Sequence, residues 1–130
     1  MNANGSNNVR LTNNSVLDGW PSWSSSGAHT VCVSAGPSLE LYRMDANGGS
    51  VTQPTNSSWR DDTPRYSPDG SKIILITGRD GQAEVYVMQA DGSRQTRLTI
   101  TTVGASLFPY WSPDRQPGAQ PVFHHAISAR

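Results

Sequence analysis

The 130-residue sequence predicts an all-β fold of stacked four-stranded antiparallel blades, a β-propeller, and three observations carry that prediction. The first is a repeat. Met1 to Thr12 reads MNANGSNNVRLT, Met44 to Thr55 reads MDANGGSVTQPT, and Met88 to Thr99 reads MQADGSRQTRLT. The second is a ladder in step with it: WPSWSSSG from Trp20, TPRYSPDG from Thr63 and FPYWSPDR from Phe108, with Pro21, Pro64 and Pro109 spaced by 43 and then 45 residues. A unit of that size cannot bury its own apolar face and must stack on copies of itself. The third is the pattern inside one unit. Lys72-Ile-Ile-Leu-Ile-Thr77, the turn cluster Gly78-Arg-Asp-Gly81, Glu84-Val-Tyr-Val-Met88 and Ala90-Asp-Gly92 are short β-branched and aromatic runs cut by turn residues, as in hairpins. No window keeps apolar residues at helical spacing for three turns, and nine prolines with twelve glycines oppose long helices.

The elements follow in order. Residues 1–130 form one domain of three repeats, at about 1–43, 44–87 and 88–130, with the first and last blades incomplete. Each repeat carries an inner strand around Pro-x-(Trp/Tyr)-Ser; in the second, further strands end near Ile76, at Met88 and at Leu98. The chain opens on the end of a third strand, so its first complete element is a fourth strand, Asn8 to Thr12. Two sets of four follow, then an inner strand from Pro109 to Ser112. After an irregular stretch at 115–120, Ala126-Ile-Ser-Ala-Arg130 is matched to the second-strand end Leu75-Ile-Thr-Gly-Arg79, for eleven strands in all. At the corner Ser67-Pro-Asp-Gly70, Pro68 fixes φ, Asp69 bonds the downstream backbone, and Gly70 accepts a positive φ. Trp23, Tyr66 and Trp111 share one column and are expected as wedges between blades.

A third strand ending Tyr-x-Met, a turn of Ala-Asp/Asn-Gly, a fourth strand ending Arg-Leu-Thr and then Pro-x-Trp-Ser-Pro-Asp resemble the WD40-like propeller repeat of TolB-type proteins. The resemblance covers residues 1–114 and recurs three times. It implies a bacterial protein in a periplasmic or secreted setting, although Met1 to Gly5 shows no signal-peptide pattern. In that family the same blades serve an envelope protein, the non-catalytic propellers of certain serine peptidases, and other secreted chains. Fold alone does not choose among these roles.

Composition removes several function classes. Ten basic and ten acidic side chains give a formal net charge of zero without a basic stripe, so nucleic-acid binding has no electrostatic source. No apolar run approaches the length of a membrane span. Cys32, alone in Thr30-Val-Cys-Val33, reads as a buried strand residue. His124 and His125 are neighbours in a strand and point to opposite faces, which opposes a shared metal, and His29 after a turn reads as solvent-facing. No nucleophile elbow, phosphate loop or ligand cluster is visible, so the sequence predicts no catalytic residue, cofactor or metal.

The candidate ligand contacts are rim residues: Trp20, Trp59, Arg60, Asp61, Asp62 and Phe108. Asp61 and Asp62 sit in a loop before Pro64, where a carboxylate pair either binds a cation or makes local turn bonds. The expected function is a non-enzymatic scaffold for protein or glycan recognition through loops and the channel mouth. The alternative is an accessory propeller of a larger hydrolase, peptidase or carbohydrate-active enzyme. Propellers close with about four to eight blades, so three blades per chain imply a homodimer of six. In it, Asn8 to Thr12 of each copy completes the other's last blade.

Overall fold

The computed structural model describes residues 1–100, 106–112 and 121–126. Among them lie nine strands and no helix. β1 (Asp18–Trp23), β2 (His29–Ala35) and β3 (Leu39–Asp45) form the first sheet; β4 (Asp61–Tyr66), β5 (Lys72–Thr77), β6 (Glu84–Gln89) and β7 (Thr96–Arg97) form the second; β8 (Ser106–Trp111) and β9 (Pro121–Ala126) form the third. Each sheet is an antiparallel meander in chain order. These are propeller blades, with β4 packed against the first sheet and β8 against the second.

Side-chain alternation builds the core. On β2, Val31 and Val33 face one way and Thr30, Cys32 and Ser34 the other, so one face is aliphatic and the other mixed. Val31, Val33 and Leu41 of the first sheet meet Tyr66, Ile73, Leu75, Tyr86 and Met88 of the second in one buried cluster. The opposite face of the second sheet repeats the arrangement: Ile74 and Val85, flanked by Ile76, receive Trp111 of the third. Each fully buried aliphatic side chain contributes about 1.5 to 3 kcal/mol. The Trp111 indole N–H also donates to the carbonyl of Arg65 at 3.0 Å.

Two of the three column aromatics are therefore wedges, Tyr66 and Trp111. Trp23 is not, being 52% exposed. Its face of the first sheet has no described sheet on it, so the same position that buries Tyr66 leaves Trp23 open. Leu11, Thr12, Cys32 and Met44 line a groove of about 290 Å³ there with it.

Several boundaries depart from the sequence reading. Asn8 to Thr12 forms no strand, because no described third strand lies beside it to complete a ladder. The fourth strand of the first repeat shrinks to the single bridge between Arg43 and Thr52; Pro54, standing where the next repeat has Leu98, has no N–H to extend the pairing. In the third sheet Trp111 faces Pro121 as Tyr66 faces Ile73, which places Ala126 beyond the position of Leu75. The expected match of 126–130 to the second-strand end is thus out of register, and residues 113–120 and 127–130 lie outside the described part. His124 and His125 do fall in β9.

The turns hold as expected. Gly70 adopts φ +74, and its N–H donates to the Ser67 carbonyl at 2.8 Å. The equivalent Gly27 has φ +70 although its turn keeps only Ser24 and Gly27 itself of the motif. Asp69 accepts from the hydroxyls of Ser67 at 2.6 Å and Ser71 at 2.8 Å, and from the Ser71 N–H at 3.0 Å. These bonds, led by that of the Ser67 hydroxyl, hold its carboxyl below the usual range. A depressed carboxylate stabilises the fold above its unfolded pKa and loses that contribution as pH falls through the folded one. Acidification below about pH 4 is therefore expected to lower the melting temperature. Asp69→Asn will show a shallower acid dependence, checked by thermal melts between neutral pH and pH 3.

Candidate functional site

The inner strands β1, β4 and β8 lie in sequence across the three sheets, and each carries a proline, preceded in turn by Trp20, Thr63 and Phe108. In β1 and β4 the register breaks at this point, between Gly19 and Ser22 and between Asp62 and Arg65. Trp20 and Thr63, at the breaks, both adopt φ +48, a left-handed backbone that bulky and β-branched residues rarely accept. Such strain persists only where surrounding structure imposes it. Trp20 is 54% and Phe108 50% exposed, while the Thr63 hydroxyl is buried without a hydrogen-bond partner among the described residues.

Trp59 is half exposed in the loop leading into β4. Ser57 holds that loop, its hydroxyl donating to the Trp59 carbonyl at 3.0 Å and to Asp61 at 3.3 Å. The structure brings Arg60 onto Asp62, Nε donating to Oδ2 at 3.0 Å, and the other Asp62 oxygen accepts the Thr63 N–H at 2.7 Å.

Asp61 and Asp62 are not a rim-loop pair. Both belong to β4 and both are buried. As neighbours in a strand they diverge, and Asp61 pairs instead with Arg79 at 3.4 Å. No group of three or more metal-ligating side chains gathers among the described residues. His29, expected at the solvent, is half buried, and its Nδ1 lies 3.1 Å from Asp45 Oδ1. The Ser50 hydroxyl first, and then His29, keep the Asp45 carboxyl below its usual range. Cys32 is buried as expected, and burial pushes its thiol up to about 11, so it is unreactive near neutral pH.

Sequence reasoning missed a second polar system. Glu40 and Glu84, each heading a Glu-x-Tyr-x-Met run within β3 and β6, are buried. Thr55 donates its hydroxyl to Glu40 Oε2 at 2.6 Å while accepting the Leu41 N–H at 2.9 Å. In the next repeat Thr99 bonds Glu84 Oε2 and accepts the Val85 N–H at 2.9 Å, and Arg97 Nη2 donates to Glu84 Oε1 at 2.7 Å. Around it, the Tyr86 hydroxyl donates to Asp80 at 2.6 Å and the Arg79 guanidinium lies 4.7 Å from the Tyr86 ring. Burial, and then the bond to Asp80, raise the Tyr86 phenol. The signal was in the repeat, as a glutamate four residues before Met44 and again before Met88.

No family model and no curated protein matches the chain. Solved structures do. A protein described as TolB from Agrobacterium tumefaciens is 32% identical, with a TM-score of 0.70, over 77% of this chain and 36% of that one. TolB from Acinetobacter baumannii is 21% identical, with a TM-score of 0.64, over 91% of this chain and 32% of that one. An oligogalacturonate lyase in complex with manganese is 18% identical, with a TM-score of 0.62, over 78% of this chain and 28% of that one. The chain thus spans about a third of the length of the structures it resembles. The last two likenesses concern the fold alone. The chain is a run of TolB-type WD40-like β-propeller repeats, about three blades long.

Proposed function

We propose that the chain is a non-enzymatic binding module that recognises a protein or glycan ligand where its inner strands begin, at the channel mouth. The observation that carries this reading is the pair Trp20 and Phe108. Both are half exposed, one residue before the repeated proline, on inner strands of blades that flank β4. Aromatic faces on a rigid sheet lose little conformational entropy when a ligand stacks on them. The buried acids of the site, Asp61, Asp62, Glu40 and Glu84, are engaged in internal bonds, which favours binding over acid–base chemistry.

A thermal-shift screen against peptides and glycans tests the reading, since a ligand that binds only the folded chain raises its melting temperature. A hit whose shift disappears in the Trp20→Ala, Phe108→Ala double variant supports it. Shifts unaffected by that variant place binding elsewhere. Conversion of a glycan or peptide during the screen would favour the enzyme-associated alternative.

For assembly we propose two copies closing six blades. The open face around Trp23 supports this, because the corresponding face around Tyr66 is covered by a sheet. Light scattering is expected near 28 kDa, twice the 14.0 kDa chain; a compact single-chain species would contradict the dimer.

A further inference from the structure

In the second sheet the space beside Glu84 is filled by charged side chains of the same repeat. Arg97 Nη2 donates to Glu84 at 2.7 Å, the Arg79 guanidinium lies 4.7 Å from the Tyr86 ring, and Asp80 accepts from the Tyr86 hydroxyl at 2.6 Å. The first repeat keeps the glutamate and the tyrosine, as Glu40 and Tyr42, but puts smaller residues around them. Ala35 stands for Arg79, Gly36 for Asp80 and Gln53 for Arg97. Two guanidinium groups and a carboxylate are thus missing, and a pocket of about 470 Å³ lined by Gly36, Ser38, Glu40, Tyr42, Gln53 and Ser57 is found there.

Glu40 lines this pocket as a charge without a counter-charge. It is 5% exposed. Its carboxylate accepts from the Ser38 hydroxyl at 2.9 Å, the Thr55 hydroxyl at 2.6 Å and the Ser57 N–H at 2.9 Å, all neutral donors. Among the described residues it makes no ion pair. A carboxylate offers about four acceptor positions, so one is left. Buried charges are ordinarily paired, as Glu84 is with Arg97. The second sheet has a sheet stacked in front of it, and the cation for Glu84 still comes from its own repeat, at the position Gln53 holds in the first. A sheet in front of the first one does not change that residue. The pocket walls, too, belong to the first repeat: the turn after β2 and the loop after the Thr52 bridge.

We propose that this pocket binds a guanidinium group supplied by a ligand, either the arginine side chain of a peptide or a free guanidinium compound. The group takes the place of the Arg97 guanidinium, donating to the open position of Glu40, with the Tyr42 ring as an aromatic wall. A lysine ammonium matches the charge but not the flat wall, and binds more weakly. A hard metal ion needs several oxygen ligands, and Glu40 is the only carboxylate lining the pocket. Neither Trp20 nor Phe108 takes part, so this site is separate from the channel mouth.

The probes are acetyl-Gly-Arg-Gly-amide and methylguanidinium, titrated into the isotope-labelled intact chain and read by amide chemical shifts. The expected result is saturable shifts at residues 36–42 and 53–58 that weaken by about tenfold or more in Glu40→Gln. Binding should be lost in Gln53→Arg, which gives the first repeat the guanidinium that the second one carries. That variant should also melt at a higher temperature, an outcome that simple disruption of the pocket does not produce. The Trp20→Ala, Phe108→Ala double variant should leave the titration unchanged, which separates this site from the channel-mouth reading. Tighter binding of the peptide than of methylguanidinium assigns the ligand to a protein arginine, and equal binding assigns it to a small compound. No saturable shift up to about 10 mM probe would overturn the proposal. Undiminished binding by Glu40→Gln or by Gln53→Arg would do the same. Should Glu40→Gln fail to fold, Gln53→Arg reads the same contact with Glu40 in place.

Discussion

Tyr66→Ala is expected to cost about 3 to 5 kcal/mol of stability, enough to lower the melting temperature by about 10 °C or more. Trp23→Ala should cost only about 0.5 kcal/mol in the single chain, and more at concentrations where a second copy covers that face. The two residues hold the same repeat position, so the difference measures their surroundings and not their identity. Tyr66 lies among Val31, Val33 and Leu41 of the neighbouring sheet, and its hydroxyl accepts from Arg43 Nε at 3.2 Å. Removing the ring leaves a cavity between two sheets that their rigid ladders cannot close. Trp23 is half in water already. Denaturant melts of both variants check the contrast, and equal losses would mean that the first sheet's open face is covered in solution.

The second large effect is expected at Arg97. Its Nη2 pairs with Glu84 at 2.7 Å, and the Glu84 side chain is 1% exposed against 33% for Arg97. Taking the guanidinium away leaves a carboxylate in the core with its threonine bond but without its cation, which costs about 3 kcal/mol. This is the lower end for a broken buried pair, because water reaches the arginine side. Thr99→Val should cost less, about 1 to 3 kcal/mol, through the buried Val85 N–H that loses its acceptor. The first repeat offers an internal comparison. Gln53 stands where Arg97 does, and Glu40 draws on Ser38, Thr55 and the Ser57 N–H instead. Gln53→Ala should therefore be mild.

The blade architecture was legible because each of its causes is local. The β-branched run Lys72–Thr77 and the Ser-Pro-Asp-Gly corner need no distant partner to be read, and both appear in the structure. What misled were properties that depend on a neighbour. The wedge position of Trp23 shows in the repeat, but its burial requires a sheet on its far side. Asn8 to Thr12 has the composition of a closing strand, yet pairing requires a strand to pair with. Asp61 and Asp62 looked like a loop pair because Arg79, which holds Asp61, comes from beyond the next strand of the chain. The glutamates were missed for another reason. A lone glutamate in a strand reads as solvent-facing, and only aligning Glu40 with Glu84 marks the position as one the fold uses.

Of the candidate rim residues, Trp20, Trp59 and Phe108 are half exposed, and Arg60 is tied to Asp62. The proposed function therefore rests on the aromatic positions. Hydrogen exchange of the chain with and without the strongest hit from the peptide and glycan screen tests it most directly. The account predicts new protection in peptides covering residues 18–20, 59–63 and 108, with β3 and β6 unchanged and the ligand recovered intact. Protection confined to β3 and β6, or a ligand recovered as cleaved product, would contradict it.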